Sequence, residues 1–332
     1  MEETRAIRTL RASNFSCSKV SKRIFSPEEA SFGRHGVFNP SCVWDGEKAL
    51  VIARAEHSEA TWSGRFITEK ATPCLSEMRI ENDEPVFAYR HKPIKAGMPS
   101  PVRSEDWRLF TYKGETWTNF TTYFFLNDGW PQKDVKARTC LGKLDGDRIR
   151  FINEMSIPEC TDEEKNWVFF EHEGKLKFIY SIEPWRIFTC DDNGEIQGEF
   201  KHDLSINREA PKFLANSTNP VLVNTQTHGE CYMLLYHYFI DPLANAGGTR
   251  NRIYYQFILF FDKNTLLPLS HTYRPVLMGG LNTQGRHDNV LYSSGAFQYG
   301  EDICVLSGEG DYFSRYDLLD LNKIETKNLT ML

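Results

Sequence analysis

The chain repeats itself, and the repeat constrains its fold more than any single residue does. Five segments share one layout: a polar start, an apolar run, a turn containing glycine, and a second apolar run. They are FNPSCVWDGEKALVIARAE from Phe38, SEDWRLFTYKGETWTNFTTY from Ser104, EKNWVFFEHEGKLKFIYSIEP from Glu164, STNPVLVNTQTHGECYMLLYHYF from Ser217 and DNVLYSSGAFQYGEDICVLSGEGD from Asp288. The polar starts centre on Asn39, Asp106, Asn166, Asn219 and Asn289, 53 to 70 residues apart. Spacing on that scale marks a propeller or solenoid. Each unit holds a hairpin and room for two more strands, the content of a four-stranded blade. The expected fold is all-β: a five-bladed β-propeller with a central funnel, forming one domain over residues 1–332. Residues 1–36 are expected to give a first strand and a clasp over the rim. Length alone would suggest two domains; the repeat argues for one.

The local signals agree with strands. KALVIARAE, RLFTYKG, KLKFIYSIE, CYMLLYHYF and ICVLSG are short, rich in aromatic and β-branched residues, and bounded by Gly, Asp or Asn. The dipeptides Asp45-Gly46, Lys113-Gly114, Glu173-Gly174, His228-Gly229 and Tyr299-Gly300 fall where hairpin turns are needed. The segment 241–252, DPLANAGGTRNR, reads as a loop that could cover or grip a substrate.

Composition narrows the partners. Net charge is −6 with a pI near 5.9, and no Lys/Arg-rich run occurs, which argues against nucleic acid and anionic membranes. The longest apolar stretch, YYQFILFF at 254–261, is too short to span a bilayer. The first twenty residues contain no secretory apolar region. Eight cysteines are scattered without CxxC spacing, as expected for buried reduced thiols in a cytoplasmic protein. No HExxH, HxH or Cys–His spacing points to a metal. No metal or organic cofactor is expected.

In a propeller the starts of the innermost strands converge on the central axis. Here they read NP, EDWR, EKNW, TNP and HDN. Asn and Asp at such positions also cap turns. Charges facing a narrow funnel are costly unless paired or used, so RSEDWRLF at 103–110 stands out. Strand residues alternate sides, so only one of Glu105 and Asp106 is expected to face the funnel, the other pairing with Arg103 or Arg108. A carboxylate in a concave apolar pocket is suited to general-acid work; a purely structural Arg–carboxylate clamp is the alternative. His237 in YHYF reads equally as a core histidine or as a ligand.

These motifs together resemble glycoside hydrolase family 130, the five-bladed β-mannoside phosphorylases and hydrolases. They also resemble the related β-1,2-mannosyltransferases with phosphorylase activity. The resemblance runs over roughly 35–320. It is carried by NP at 39–40, the Arg54 strand, SEDWR at 104–108, EKNW at 164–167, YSIEP at 180–184, YH at 236–237, Tyr254 and SGEGD at 307–311. It implies that Asp106 is the catalytic acid, protonating the glycosidic oxygen through the sugar's 3-hydroxyl. Inorganic phosphate then attacks the anomeric carbon with inversion. It implies phosphate ligands at Arg54, Lys165, Asn166, His237 and Tyr254. Asn39, Glu105, Trp107, Arg108 and Asp311 would hold the sugar. Two departures are visible: Trp107 replaces the family proline after the acid, and STNP replaces a glycine-rich segment. Both indicate a distant branch.

The leading expectation is an inverting phosphorylase of β-mannosides or related oligosaccharides, cytoplasmic, with phosphate as co-substrate and mannose 1-phosphate as product. A homo-oligomer is compatible with the sequence. A nucleotide-sugar glycosyltransferase on the same scaffold is an alternative, with Lys165 and Arg54 gripping a diphosphate. An inverting hydrolase is another. It would need a second carboxylate about 6.5–9.5 Å from the acid, for which Asp311, Glu309, Asp288 and Glu209 are candidates. A non-enzymatic carbohydrate-binding propeller is disfavoured by EDWR and EKNW.

Overall fold

The computed structural model describes residues 17–25, 36–56, 71–97, 103–125, 135–206, 214–240, 252–279 and 289–329. Within them every regular element is a strand, apart from one short 3-10 helix at Leu321–Lys323. The strands group into five sheets, almost wholly antiparallel. Sheet I runs Val37–Trp44, Ala49–Glu56, Ala71–Glu81, Glu84–Pro93. Sheet II runs Arg103–Tyr112, Glu115–Phe125, Val135–Asp145, Arg148–Glu154, with Lys95–Gly97 added in parallel at its edge. Sheet III runs Val168–His172, Lys175–Ser181, Trp185–Cys190, Ile196–His202.

Sheet IV is built on Gly229–Ile240 and Ile253–Asp262. Sheet V runs Leu291–Tyr299, Asp302–Glu309, Phe313–Asp320 and then Ser18–Phe25 from the far end of the chain. The expectation of five equal four-stranded units needs correcting, because the sheets hold four, five, four, seven and four strands. The seven arise because the twelve-residue strand Gly229–Ile240 outreaches its neighbours. Val221–Thr225 pairs with its first half and Leu214–Asn216 with its second.

Five apolar cores hold the sheets together, each lying between two neighbours. Trp107 and Phe120 fill the I/II gap, Trp167, Phe169 and Phe178 the II/III gap, and Trp185 and Phe261 the III/IV gap. Met233, Leu235 and Val305 fill IV/V; Phe25, Met78 and Tyr316 fill V/I. The arrangement is a β-propeller, with every sheet covered on both faces. This is why the sequence can be so rich in buried aromatics, each contributing on the order of 2 kcal/mol by burial.

Closure joins distant parts of the chain. Ser18–Phe25 pairs with Phe313–Asp320, and Thr326–Asn328 with Pro268–Thr272. The N-terminal segment thus supplies the expected strand, while residues 26–35 of the expected clasp lie outside the described residues. Arg23 on that strand clasps Glu309 with two hydrogen bonds, of 3.1 and 2.9 Å. The hairpin expectations hold at Lys113-Gly114 and Glu173-Gly174. There both residues take positive φ (52° and 72°; 51° and 70°), as a type I′ turn requires.

Candidate active site

The inner strands begin in one recurring backbone geometry. Asn39, Asp106, Asn166 and Asn289 all have positive φ, between 50° and 66°. The left-handed region is costly for most L residues, and Asn and Asp are among the few that adopt it readily. In sheets I and II the same residues lie in bulges. Phe38 and Ser41 pair with Arg54 and Ile52, and Glu105 and Arg108 with Thr121 and Asn119. The repeat of Asn and Asp in the sequence is therefore first a backbone requirement. Asn219 departs from it: its amide bridges Phe169 N–H (2.8 Å) and the Leu109 carbonyl (3.0 Å), tying sheets II and III.

The bulge also undoes the expected alternation of Glu105 and Asp106. Both carboxylates reach one guanidinium: Arg54 Nη1 lies 2.7 Å from Glu105 Oε2 and 3.6 Å from Asp106 Oδ1. Arg54 Nη2 is bonded to Glu56, two residues along the same strand face. Arg54 and Glu56 are buried. Burial alone would depress the Arg54 pKa, but Glu105, Glu56, Asp106 and Asp311 together raise it above the usual arginine value. Tyr123 hydrogen-bonds to Glu105; burial and then the charges of Glu105 and Asp106 hold its phenol protonated. Asp106 keeps 18% side-chain exposure and accepts a 2.7 Å bond from Asn39 Nδ2. Asn39 fits there only over a glycine, since a Cβ on Gly308 would stand 1.9 Å from its Oδ1.

A second arginine ties the remaining strand starts. Arg108 is fully buried; it donates Nε–H to the Ser217 carbonyl at 2.7 Å and Nη2–H to Asn166 Oδ1 at 3.0 Å and to Tyr292 Oη. Tyr292 in turn donates to Asn166 Oδ1 at 2.8 Å. Burial lowers the Arg108 pKa to about 10, against the opposing charge of Asp106, so it remains cationic at neutral pH. Beside it His237 is buried with its ring stacked on Tyr254 (centroids 5.2 Å apart, 27°) and edge-on to Tyr292 (5.3 Å, 83°). Burial, Arg108 and Lys165 push its pKa down to about 3. Tyr254 is pushed up by burial and hydrogen-bonds to Arg252.

The centre thus joins an acidic cluster about Arg54 to a group of Arg108, Lys165, Arg252, His237 and Tyr254, with Asp106 acting electrostatically on both Arg108 and Tyr254. Lys165 is exposed, and Asn166 is half-buried between it and Arg108. Within EKNW the outer residues are structural: Glu164 accepts from Thr161 N–H at 2.6 Å and from Trp167 Nε1–H at 3.3 Å, and Trp167 stacks on Phe178. Trp107 does not join the centre. It is 1% exposed and sits in the core between sheets I and II, so it offers no face to a sugar. Arg54 is surrounded by carboxylates rather than standing open to phosphate. Asp311, at φ 50° just past the strand Asp302–Glu309, interacts with Arg54 and Tyr254. Glu309 is held by Arg23. Asp288 and Glu209, the side chain of Arg103 and most of 241–252 lie outside the described residues.

Sequence reasoning missed Glu56, Tyr123, Ser217, Gln256 and Tyr292. Glu56 left a signal in its period-2 spacing from Arg54, and Ser217 one in the STNP start of the fourth repeat. The others approach from different strands, and nothing in their neighbourhoods marks them. Among the described residues no group of His, Cys, Asp or Glu could hold a metal ion, and no helix is long and apolar enough to cross a membrane.

No protein-family model matches the sequence, and no curated protein matches it. Solved structures do match its fold. A β-1,2-mannobiose phosphorylase from Listeria innocua, in complex with β-1,2-mannobiose, aligns over 92% of this chain and 98% of its own, with TM-score 0.59 and 15% identity. A mannose phosphorylase from Leishmania mexicana, in complex with a phosphate ion, aligns over 100% and 98%, with TM-score 0.56 and 13% identity. A GDP-Man-dependent mannosyltransferase from the same organism aligns over 99% of each chain, with TM-score 0.61 and 10% identity.

Proposed function

We propose that this chain is a carbohydrate-active enzyme: an inverting phosphorylase of β-mannosides or related oligosaccharides, working at the centre of the propeller. The observation that carries the reading is the meeting of an acid and an anion cradle at that centre. Asp106 is partly exposed and held by Asn39 beside Arg54, and its charge reaches Arg108 and Tyr254, which lie with Lys165 around His237. A single inverting displacement needs both: an acid for the leaving oxygen and a cradle for an anionic nucleophile. Asp106 acts as the acid through a sugar hydroxyl. Asn39, Glu105 and Asp311 hold the sugar. Lys165, Asn166, His237 and Tyr254 hold phosphate, with Arg108 fixing Asn166. Arg54 locks the acidic side and contributes charge, not a phosphate contact. Phosphate itself, plentiful in cytoplasm, is the co-substrate, and mannose 1-phosphate is the product.

A mannosyltransferase using a nucleotide sugar is the second reading, favoured by the Leishmania mexicana mannosyltransferase, which aligns over 99% of both chains. One experiment separates the two. The protein is offered mannose 1-phosphate or GDP-mannose as donor with mannose and manno-oligosaccharide acceptors, and released phosphate and GDP are measured. Phosphate release supports the phosphorylase. Turnover with GDP-mannose alone sinks it in favour of the transferase. Hydrolysis of manno-oligosaccharides without phosphate would instead make Asp311 the base to test.

A further inference from the structure

A chain of three hydrogen bonds behind His237 has only one consistent direction. Gln256 Nε2 donates to the Leu291 carbonyl at 2.7 Å, which fixes the amide with Oε1 pointing the other way. A carbonyl oxygen only accepts, so Ser217 must give its one proton to Gln256 Oε1, at 2.9 Å. Ser217 Oγ then has only lone pairs for His237 Nδ1, 2.8 Å away, so Nδ1 is the donor. All these side chains are buried, so water does not scramble the directions. The ring cannot rotate out of register, because Tyr254 lies on its face and Tyr292 against its edge.

We infer that His237 is locked as the Nδ1–H tautomer and presents Nε2 as a hydrogen-bond acceptor, so that the anion it meets must bring its own proton. This rests on the phosphorylase reading and sharpens it. Among the described residues nothing is bonded to Nε2. Burial, with Arg108 and Lys165 nearby, holds the ring neutral. A further cation there would grip any oxyanion. A neutral acceptor instead selects one with a P–OH group. Inorganic phosphate carries such a proton at neutral pH and sulfate carries none. Ser217 and Gln256 are positioning residues: they set the tautomer and touch no ligand. The departure of this segment from glycine-rich to Ser-Thr-Asn-Pro supplies the hydroxyl that the chain of bonds requires.

The test uses the whole protein, 15N-labelled at histidine, with the His237 signals assigned by their loss in His237→Gln. The expected spectrum has a protonated Nδ1 and an unprotonated Nε2, unchanged between about pH 5 and 8, where an ordinary histidine titrates. Phosphate is expected to bind about 10- to 100-fold tighter than sulfate in calorimetry, the worth of one hydrogen bond to a charged group. In Ser217→Ala the tautomer is released and the preference shrinks towards equality. A proton on Nε2 in the wild-type spectrum overturns the inference even if phosphate supports turnover. Equal binding of sulfate and phosphate by the wild type overturns it too. If the spectrum is as expected but neither anion binds, the phosphorylase reading fails, and with it the anion selection, while the tautomer stands.

Discussion

Asn39 and Asp106 occupy the same bulged, left-handed position in neighbouring repeats, and the first donates its amide N–H to the carboxylate of the second at 2.7 Å. Two copies of one structural device have diverged, one supplying the proposed acid and the other its hydrogen-bond partner. Replacing Asp106 by Asn keeps the backbone geometry and removes the acid. Turnover should fall by about 10²–10⁴-fold, while sugar binding measured by calorimetry persists. Full activity in that variant would show the acid lies elsewhere. Asn39→Ala should cost roughly 10- to 100-fold in kcat/KM, the loss of one hydrogen bond to a charged group.

Arg54 is predicted to matter for stability as much as for activity. It neutralises Glu56 and Glu105 in a buried setting. Arg54→Met removes a shared cation from two buried carboxylates and should destabilise the fold by about 3–5 kcal/mol in urea unfolding. Adding Glu56→Gln should recover part of that loss. Additive losses in the double variant would contradict the pairing.

Trp107 separates a core role from a sugar-stacking role. Buried between sheets I and II, it should tolerate Trp107→Phe with KM unchanged, at a cost in thermal stability alone. Trp107→Ala should destabilise by about 3–5 kcal/mol. A rise in KM without loss of stability in the Phe variant would place the ring against substrate.

Acid should weaken the fold in a window set by His237. Its pKa falls from the ordinary 6.5 to about 3 on folding. Between those values the unfolded chain binds a proton that the folded chain refuses. Stability therefore rises with pH through that window and is fully regained above the unfolded value. The slope from this one group is at most about 1.4 kcal/mol per pH unit. Urea unfolding at pH 7, 6 and 5 should show it, and His237→Gln should flatten it. An identical slope in the variant would assign the acid sensitivity to other groups.

The repeat made the strands, the turns and the polar starts readable before any coordinates. The turn at Lys113-Gly114 and the starts at Asn39, Asp106 and Asn166 are local matters, decided by which residues accept positive φ. Glu105 and Asp106 show where that reading stops. Strict alternation sends them to opposite sides, yet a bulge turns both onto Arg54, and no residue type announces the bulge. For Trp107 the resemblance implies a place against the sugar, whereas its position relative to the next sheet puts it in the core.

By itself the sequence determined the all-β class, the period of the repeat and the set of charged and amide residues brought towards the axis. Tertiary structure alone decided how they are used. Arg54 is matched to three carboxylates from two sheets; Arg108 joins four sheets; Ser217 and Gln256 orient His237 across a gap of 39 residues in sequence. Backbone preference and strand pattern are properties of a few consecutive residues. Pairing of buried charges and the direction of a hydrogen-bond chain depend on what the other strands bring within 3 Å, which is fixed only when the ring of sheets closes.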